Sequence, residues 1–169
     1  FYRLYFQLRI WRLTPIDYAM VKLYFIYKSI FERQTVRALK KLICSDYIIL
    51  DIGGGFGFYA RLFCKYAHRG RVYLFEPYKI NYQRCVRHVR AFFPNQIQFL
   101  ELAISSSINN LPLFIDHRNP ANNHIETILK DQNSVGLIET VDTTTIDAFC
   151  GNTNIKPNFI KIDVQGHEL

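Results

Sequence analysis

Apolar and polar residues follow one another along this chain with two different periods, which predicts strands that alternate with helices. Short apolar runs typical of buried strands end in polar or glycine-containing turns, and they lie at 48–52, 71–76 and 97–104. Apolar residues at helical spacing precede or separate these runs, at about 15–31, 34–43, 58–67 and 81–92. The last of these helices is predicted to carry a basic face formed by Arg84, Arg87 and Arg90. The alternation predicts an α/β fold with a Rossmann-like, doubly wound and mostly parallel sheet.

The last third of the chain predicts an added hairpin, a capped helix and a further strand. Residues 111–115 are expected to form a strand of the hairpin, and Thr145 is expected to cap a helix that follows a strand within 141–149. In the next strand, a period of two places Lys161 and Asp163 on one face and the apolar residues on the other. Charged residues in an apolar, central strand are costly unless they pair with each other or serve a function.

A glycine-rich turn after the first apolar run organises the rest of the chain, and it reads Asp51-Ile52-Gly53-Gly54-Gly55-Phe56-Gly57. Glycines let the backbone approach a ligand closely, and a helix at 58–67 would point free N–H groups at that ligand. The dinucleotide pattern G-x-G-x-x-G fits from Gly55 with Ala60 in its third position. The spacing Asp51-x-Gly53-x-Gly55-x-Gly57 instead resembles motif I of Rossmann-like S-adenosylmethionine-dependent methyltransferases. A turn of this kind without any ligand is the remaining interpretation.

An acidic residue ends the second apolar run. Glu76 lies 19 residues beyond Gly57, about the distance at which a second parallel strand presents a carboxylate to a ribose diol. Two carboxylate oxygens match two hydroxyl groups, whereas a glutamate that is simply solvated at the strand end is the alternative. By their position near the end of the third apolar run, backbone groups of Leu102 and Ala103 are expected beside an adenine ring.

The excess of positive charge lies at the N-terminus. The 169 residues carry a net charge of +7, and residues 1–47 hold nine Lys and Arg against three acidic residues. This divides the chain into a basic, aromatic-rich helical arm at 1–44 and a nearly neutral domain at 45–169. The arm is expected to cover an edge of the sheet, to lie on an anionic membrane surface as a peripheral contact, or both. No nucleic-acid partner is expected, because the arm contains no recognisable binding module.

The cysteines favour a reducing, cytoplasmic location. Four of them are scattered without a C-x-x-C pair or a histidine at metal-binding spacing, so we expect buried free thiols and no metal site. No signal peptide is recognisable. The best candidate for a membrane span, 13–31, is interrupted by a proline and three charged residues.

Four motifs occur in order: the glycine turn, Phe75-Glu76-Pro77, Thr145-Ile146-Asp147 and Ile160-Lys161-Ile162-Asp163-Val164-Gln165-Gly166-His167-Glu168. With them, residues 45–169 resemble the FkbM family of methyltransferases, although Gln165 stands where that family commonly has glutamate. The resemblance implies methyl transfer from S-adenosylmethionine to a hydroxyl of a sugar or secondary metabolite, so the expected partner is a small-molecule or glycan acceptor. A complete fold of this class has further strands, and we therefore expect the chain to be truncated at its C-terminus.

The resemblance also implies roles for individual residues. Gly53, Gly55 and Gly57 would contact the cofactor closely, Asp51 would order the turn, and Glu76 would bind the ribose. Asp163 is expected where the transferred methyl group lies, with pairing to Lys161 as its other role. His167 and Glu168 are candidates on the acceptor side: histidine is the natural base near neutral pH, and Glu168 could instead cap the start of a helix.

The sequence leaves two other functions open. The first is a nicotinamide-dependent oxidoreductase, which would use the dinucleotide pattern of the glycine turn. The second is a catalytically inactive, membrane-associated binding module built on the same fold.

Overall fold

The computed structural model describes residues 15–115, 124–125 and 137–164. Its helices are α1 (Pro15–Phe31), α2 (Arg33–Leu42), α3 (Phe58–Tyr66), α4 (Lys79–Cys85) and α5 (Ile146–Thr153), and a π-helix (Val86–Arg90) continues α4. Its strands are β1 (Ile48–Ile52), β2 (Arg71–Phe75), β3 (Ile97–Leu100), β4 (Ala103–Ile104), β5 (Asn110–Ile115), β6 (His124–Ile125), β7 (Leu137–Thr144) and β8 (Phe159–Ile162). The helices predicted at 34–43 and 58–67 begin and end within one residue of these bounds.

Four parallel strands form the sheet that carries the site, in the order β3–β2–β1–β8. Helices cover both faces of this sheet. On one face, Phe63 of α3 packs in the same cluster as Ile49 of β1. On the other, the ring of Phe149 in α5 lies 5.3 Å from that of Tyr73 and 4.9 Å from that of Phe75, measured between centroids. This arrangement confirms the predicted α/β fold with a mostly parallel sheet.

A second sheet has the order β4–β7–β5–β6, with β4 parallel to β7 and β5 antiparallel to both β7 and β6. The expected strand at 111–115 is therefore present, and it pairs with β6 as in a hairpin. The single strand predicted at 97–104 is wrong. Leu100 pairs with Phe75 in the first sheet, whereas Ala103 pairs with Thr143 in the second. An apolar run cannot show where a strand changes its neighbour.

Strand β8 was expected to be central and apolar on one face. Within the described residues it is instead the outer strand of its sheet, and Ile160 and Ile162 are 38% and 46% exposed. Lys161 and Asp163 do share a face, and both line a pocket at the carboxyl ends of the strands. The period of a strand gives the faces of its residues but not the elements that will cover them.

Helix α1 packs onto the glycine turn. Val21 and Phe25 form a buried cluster with Phe56 of the turn and Phe58 of α3. The rings of Phe25 and Phe58 meet edge to face with centroids 5.7 Å apart. Helix α1 therefore packs on the glycine turn and α3, whereas the N-terminal helices were expected to cover an edge of the sheet.

The basic face predicted for 81–92 is wrong at Arg84. Its guanidinium is buried and pairs with the buried Asp17 of α1, with Nη2 2.8 Å and Nε 2.9 Å from Oδ1. The same guanidinium lies over the ring of Phe56, 5.1 Å from its centroid. Asp17, 67 positions away in the chain, compensates the buried charge of Arg84. Without this partner the buried guanidinium would be strongly destabilising. Arg87 and Arg90 are exposed.

The predicted N-terminal cap of α5 is present. Thr145 caps α5, and its side chain accepts a hydrogen bond of 3.0 Å from the N–H of Ala148, as predicted.

All four cysteines are free thiols, but Cys64 and Cys85 are buried whereas Cys44 is exposed. Among the helices in the described ranges, none combines the length and the apolar character that crossing a membrane requires.

Candidate functional site

A pocket lies beyond the carboxyl ends of β1, β2 and β8, the edge at which open α/β sheets bind ligands. It is open on one side, and its empty space amounts to about 930 Å³ when the solvent at that open side is included. The walls come from the glycine turn, the ends of β2 and β8, the start of the second sheet and the inner side of α1. Its lining includes Tyr24, Lys28, Gly53, Gly55, Tyr59, Glu76, Leu102, Ala103, Lys161 and Asp163.

The glycine turn is joined to β2 by backbone hydrogen bonds. The N–H groups of Gly53 and Gly54 both donate to the carbonyl of Phe75 at 3.0 Å. Gly53 has a φ of 74°, and a Cβ there would lie 2.0 Å from the carbonyl oxygen of Asp163. Gly57 has a φ of 86°, and a Cβ there would lie 2.7 Å from a methyl group of Val89. These two glycines are therefore required by the packing of the turn itself.

Gly55 differs from its neighbours. Its φ is 56°, but a Cβ at this position would meet no atom of the described residues within 4 Å. Gly55 also lines the pocket. The absence of a side chain at Gly55 therefore keeps space open in the pocket. The packing of the surrounding protein does not require it.

Glu76 reaches across to this turn from the end of β2. Its Oε2 accepts the N–H of Gly55 at 2.8 Å, and its Oε1 accepts the N–H of Tyr78 at 3.1 Å. Burial raises the pKa of Glu76 to about 7, opposed by these two N–H donors and by Lys161. Each oxygen of a carboxylate has two lone pairs. The side chain is thus fixed by the backbone and keeps acceptor capacity toward the pocket.

Lys161 connects two carboxylates with the turn. Its Nζ lies 3.2 Å from Oδ1 of the fully buried Asp51 and 3.7 Å from Oδ2 of Asp163. It also donates to the carbonyl of Gly53 at 3.0 Å. Burial raises the pKa of Asp51, and the ammonium group of Lys161 opposes this shift. Asp163 thus pairs with Lys161 and also lines the pocket, while its position beside a transferred methyl group stays a prediction.

A polar wall that the sequence did not predict comes from α1 and α3. Lys28 pairs with Glu32, and the hydroxyl of Tyr59 donates to the same carboxylate. The Nζ atoms of Lys28 and Lys161 each lie 5.3 Å from the centroid of the Tyr59 ring. Burial raises the pKa of both Tyr24 and Tyr59 above its ordinary value of 10.0, so these hydroxyls stay protonated near neutral pH. The sequence contains a signal for the Lys28–Glu32 pair, which is their spacing of four on a helix, but none for its position beside the pocket.

The other predicted site residues fall in two groups. Leu102 and Ala103 line the pocket at the start of the second sheet, on the side away from β8. His167 and Glu168 lie outside the described residues, so their roles stay predictions. Within the described part of the chain, no group of three or more His, Cys, Asp or Glu residues could hold a metal ion.

Comparisons with known proteins give low similarity in structure. A methyltransferase FkbM from Methylobacillus flagellatus KT has a TM-score of 0.49 and 18% identity, over 75% of this chain and 28% of its own. A putative caffeoyl-CoA O-methyltransferase from Staphylococcus aureus has a TM-score of 0.39 and 19% identity, over 59% of this chain and 49% of its own. A SAM-dependent methyltransferase from Aquifex aeolicus has a TM-score of 0.35 and 22% identity, over 38% of this chain and 36% of its own. The chain thus spans less than half the length of each of these proteins.

Comparison by sequence is more specific. No curated protein matches the chain. The model of the methyltransferase FkbM domain, in contrast, matches residues 51–169, which run from the aspartate of the glycine turn to the last residue. Because that match covers well over half of the sequence, the chain belongs to the FkbM methyltransferase domain family.

Proposed function

We propose that the pocket binds S-adenosylmethionine and that the protein transfers its methyl group to a hydroxyl of a sugar or other small metabolite. The observation that carries this proposal is the carboxylate of Glu76, held by the N–H of Gly55 beside a turn whose Gly55 leaves open space. Family membership supports methyl transfer as the reaction. The protein would act on a small-molecule or glycan acceptor.

The residues present fit an adenosyl cofactor. Glu76 already accepts the N–H groups of Gly55 and Tyr78 and a hydrogen bond from Asn81, and its remaining acceptor site can take a ribose hydroxyl. Gly53 and Gly55 would lie along the methionine part, and Leu102 and Ala103 would flank the adenine. When bound, this cofactor supplies a methyl group on a positively charged sulfur.

Asp163 is the acceptor-side residue that the described part of the pocket favours. It follows β8 directly, its side chain is 47% exposed, and its carboxylate lies 3.7 Å from Lys161. A carboxylate in this position can hold the acceptor hydroxyl by a hydrogen bond and take its proton as the new C–O bond forms. Most of the rate gain in such a transfer comes from holding the two reactants in line at short distance. His167 and Glu168 are the further candidates for proton acceptance.

The experiment is isothermal titration of the 169-residue chain with S-adenosylmethionine and, separately, with NAD. We expect S-adenosylmethionine to bind and NAD not to bind. Glu76→Gln should weaken the binding of S-adenosylmethionine about 10- to 100-fold, the equivalent of losing one hydrogen bond to a charged group.

The matched control is Glu101→Gln, which changes an exposed carboxylate directly after β3. It should bind as the unchanged chain does. Tighter binding of NAD, or equal affinities of the Glu76→Gln and Glu101→Gln variants, would refute the cofactor assignment. Binding of S-adenosylmethionine without methyl transfer to any hydroxyl acceptor would support the cofactor site but refute the proposed methyltransferase activity.

A further inference from the structure

Helix α1 has two apolar faces, and the described residues cover one of them. Val21 and Phe25 are buried against the glycine turn. On the opposite side lie five large apolar residues whose exposed fractions range from 54% to 70%. They are Leu23, Ile26, Tyr27, Ile30 and Phe31, and we call them the outer stripe of α1.

The outer stripe is continuous because its residues recur at intervals of three and four positions. It therefore forms one connected apolar surface, and connected apolar patches on soluble domains are often interaction sites. Scattered exposed apolar side chains are common and need no explanation, but five on one helix face are not scattered.

Basic residues follow the outer stripe along the chain, on the exposed side of α2. The two helices are consecutive: the N–H of Glu32 donates to Lys28 at the end of α1, and the N–H of Val36 donates to Glu32 at the start of α2. Four cations lie along α2. These are Arg33, Arg37, Lys40 and Lys41, all of them exposed.

The acidic residues of the two helices do not offset these cations. Asp17 is buried in its ion pair with Arg84. Glu32 is engaged by Lys28 and by the hydroxyl of Tyr59. The outward surface between Pro15 and Leu42 therefore combines an apolar stripe with a row of cations and presents no fully exposed carboxylate.

We propose that this surface docks on an anionic lipid bilayer. The outer stripe would enter the boundary between headgroups and acyl chains, as the apolar face of an interfacial helix does. Arg33, Arg37, Lys40 and Lys41 would lie at the level of the headgroups, where each cation near an anionic surface adds to binding. Charge complementarity selects this partner, because an apolar stripe alone would suit a second copy of the chain equally well.

The docking surface and the pocket share one helix. Tyr24 and Lys28 on the inner side of α1 line the pocket, while their neighbours Leu23 and Tyr27 belong to the outer stripe. Docking would therefore bring the pocket close to the membrane without burying it. The docking proposal itself does not depend on which cofactor the pocket binds.

The test is co-sedimentation of the full chain with two kinds of vesicle, phosphatidylcholine alone and phosphatidylcholine with phosphatidylserine. We expect binding to the vesicles that contain phosphatidylserine, and we expect it to weaken as salt is added because salt screens the cations. Ile26→Gln combined with Ile30→Gln should reduce that binding at least about tenfold, since two buried apolar side chains are lost. Arg37→Gln combined with Lys40→Gln and Lys41→Gln should remove the preference for phosphatidylserine.

The matched control is Ile108→Gln with Ile138→Gln, which changes two exposed isoleucines outside the helices. It should bind vesicles as the unchanged chain does, and circular dichroism should show that all variants are folded. Failure of the folded chain to bind the anionic vesicles at low salt would overturn the proposal. Light scattering that shows a dimer, converted to a monomer by the Ile26 and Ile30 changes, would assign the surface to a second copy instead.

Discussion

Lys161 of β8 lies directly opposite Asp51 of β1 in the parallel pairing of the two strands, with its Nζ 3.2 Å from Oδ1. The same Nζ donates to the carbonyl of Gly53. One ammonium group thus neutralises a buried carboxylate and holds the first glycine of the turn. Charge balance in β1 and the shape of the turn therefore depend on a strand more than a hundred residues further along the chain.

Replacing Lys161 by methionine should lower the free energy of unfolding at pH 7 by about 3 kcal/mol, because Asp51 would be left as a buried charge without its cation. The loss should shrink as the pH is lowered and Asp51 takes up a proton. Urea denaturation over a pH series measures both effects. Lys156→Met, at an exposed lysine on the connection before β8, is the control; equal losses in the two variants would mean that the Lys161–Asp51 pair contributes nothing.

Alanine substitutions in the turn should separate folding from binding. Gly53→Ala should lower the free energy of unfolding by about 3 kcal/mol or more. The alanine would have to adopt the left-handed backbone conformation, and its Cβ would clash with the carbonyl of Asp163. Gly55→Ala should cost about 1–2 kcal/mol, from its backbone conformation alone. Its added methyl group lies at the pocket, so it should weaken binding of S-adenosylmethionine strongly.

Denaturation and isothermal titration of the two alanine variants provide the comparison. Unchanged affinity in Gly55→Ala would show that no ligand approaches this position. A stability loss as large as that of Gly53→Ala would show that Gly55 serves packing as well.

Glu76 should make stability fall as the pH rises from about 4.5 to about 7. Burial raises its pKa from 4.5 to about 7 in the folded state. Within that window the folded chain therefore holds a proton that the unfolded chain has lost, and linkage then lowers stability with increasing pH. A pKa shift of this size corresponds to about 3 kcal/mol in the free energy of unfolding.

The measurement is the difference in unfolding free energy between the unchanged chain and Glu76→Gln at several pH values. This difference should decrease by about 3 kcal/mol across the window and be constant below it. For Glu101→Gln, at an exposed carboxyl, it should change little. A flat difference for Glu76→Gln would mean that water reaches the carboxylate.

The buried pair of Asp17 and Arg84 should hold α1 on the turn. Asp17→Ala and Arg84→Met should each lower the unfolding free energy by about 3–5 kcal/mol, because each leaves one buried charge alone. The double variant should lose clearly less than the sum of the two single losses. Arg37→Met, at an exposed arginine of α2, is the control for losing a cation; additive losses in the Asp17 and Arg84 variants would contradict the pairing.

Local sequence patterns predicted the framework around the site correctly. The apolar run before Asp51, the glycines and the helix that follows them form a strand, a turn and a helix within one residue of the predicted bounds. Glu76 was expected at the end of the next strand, and it lies there beside Gly55. These features depend on neighbouring residues, so the sequence contains them directly. The binding roles assigned to Asp51, Gly53, Gly55, Gly57 and Glu76 stay predictions.

The sequence by itself determined the alternation of strands and helices, the glycine turn and the family. The tertiary structure alone decided that Arg84 is buried against Asp17, that β3 and β4 belong to different sheets, and that Tyr24 and Lys28 line the pocket. The physical reason is that periodicity records which side of an element is apolar, whereas burial and charge pairing depend on which distant segment packs against that side.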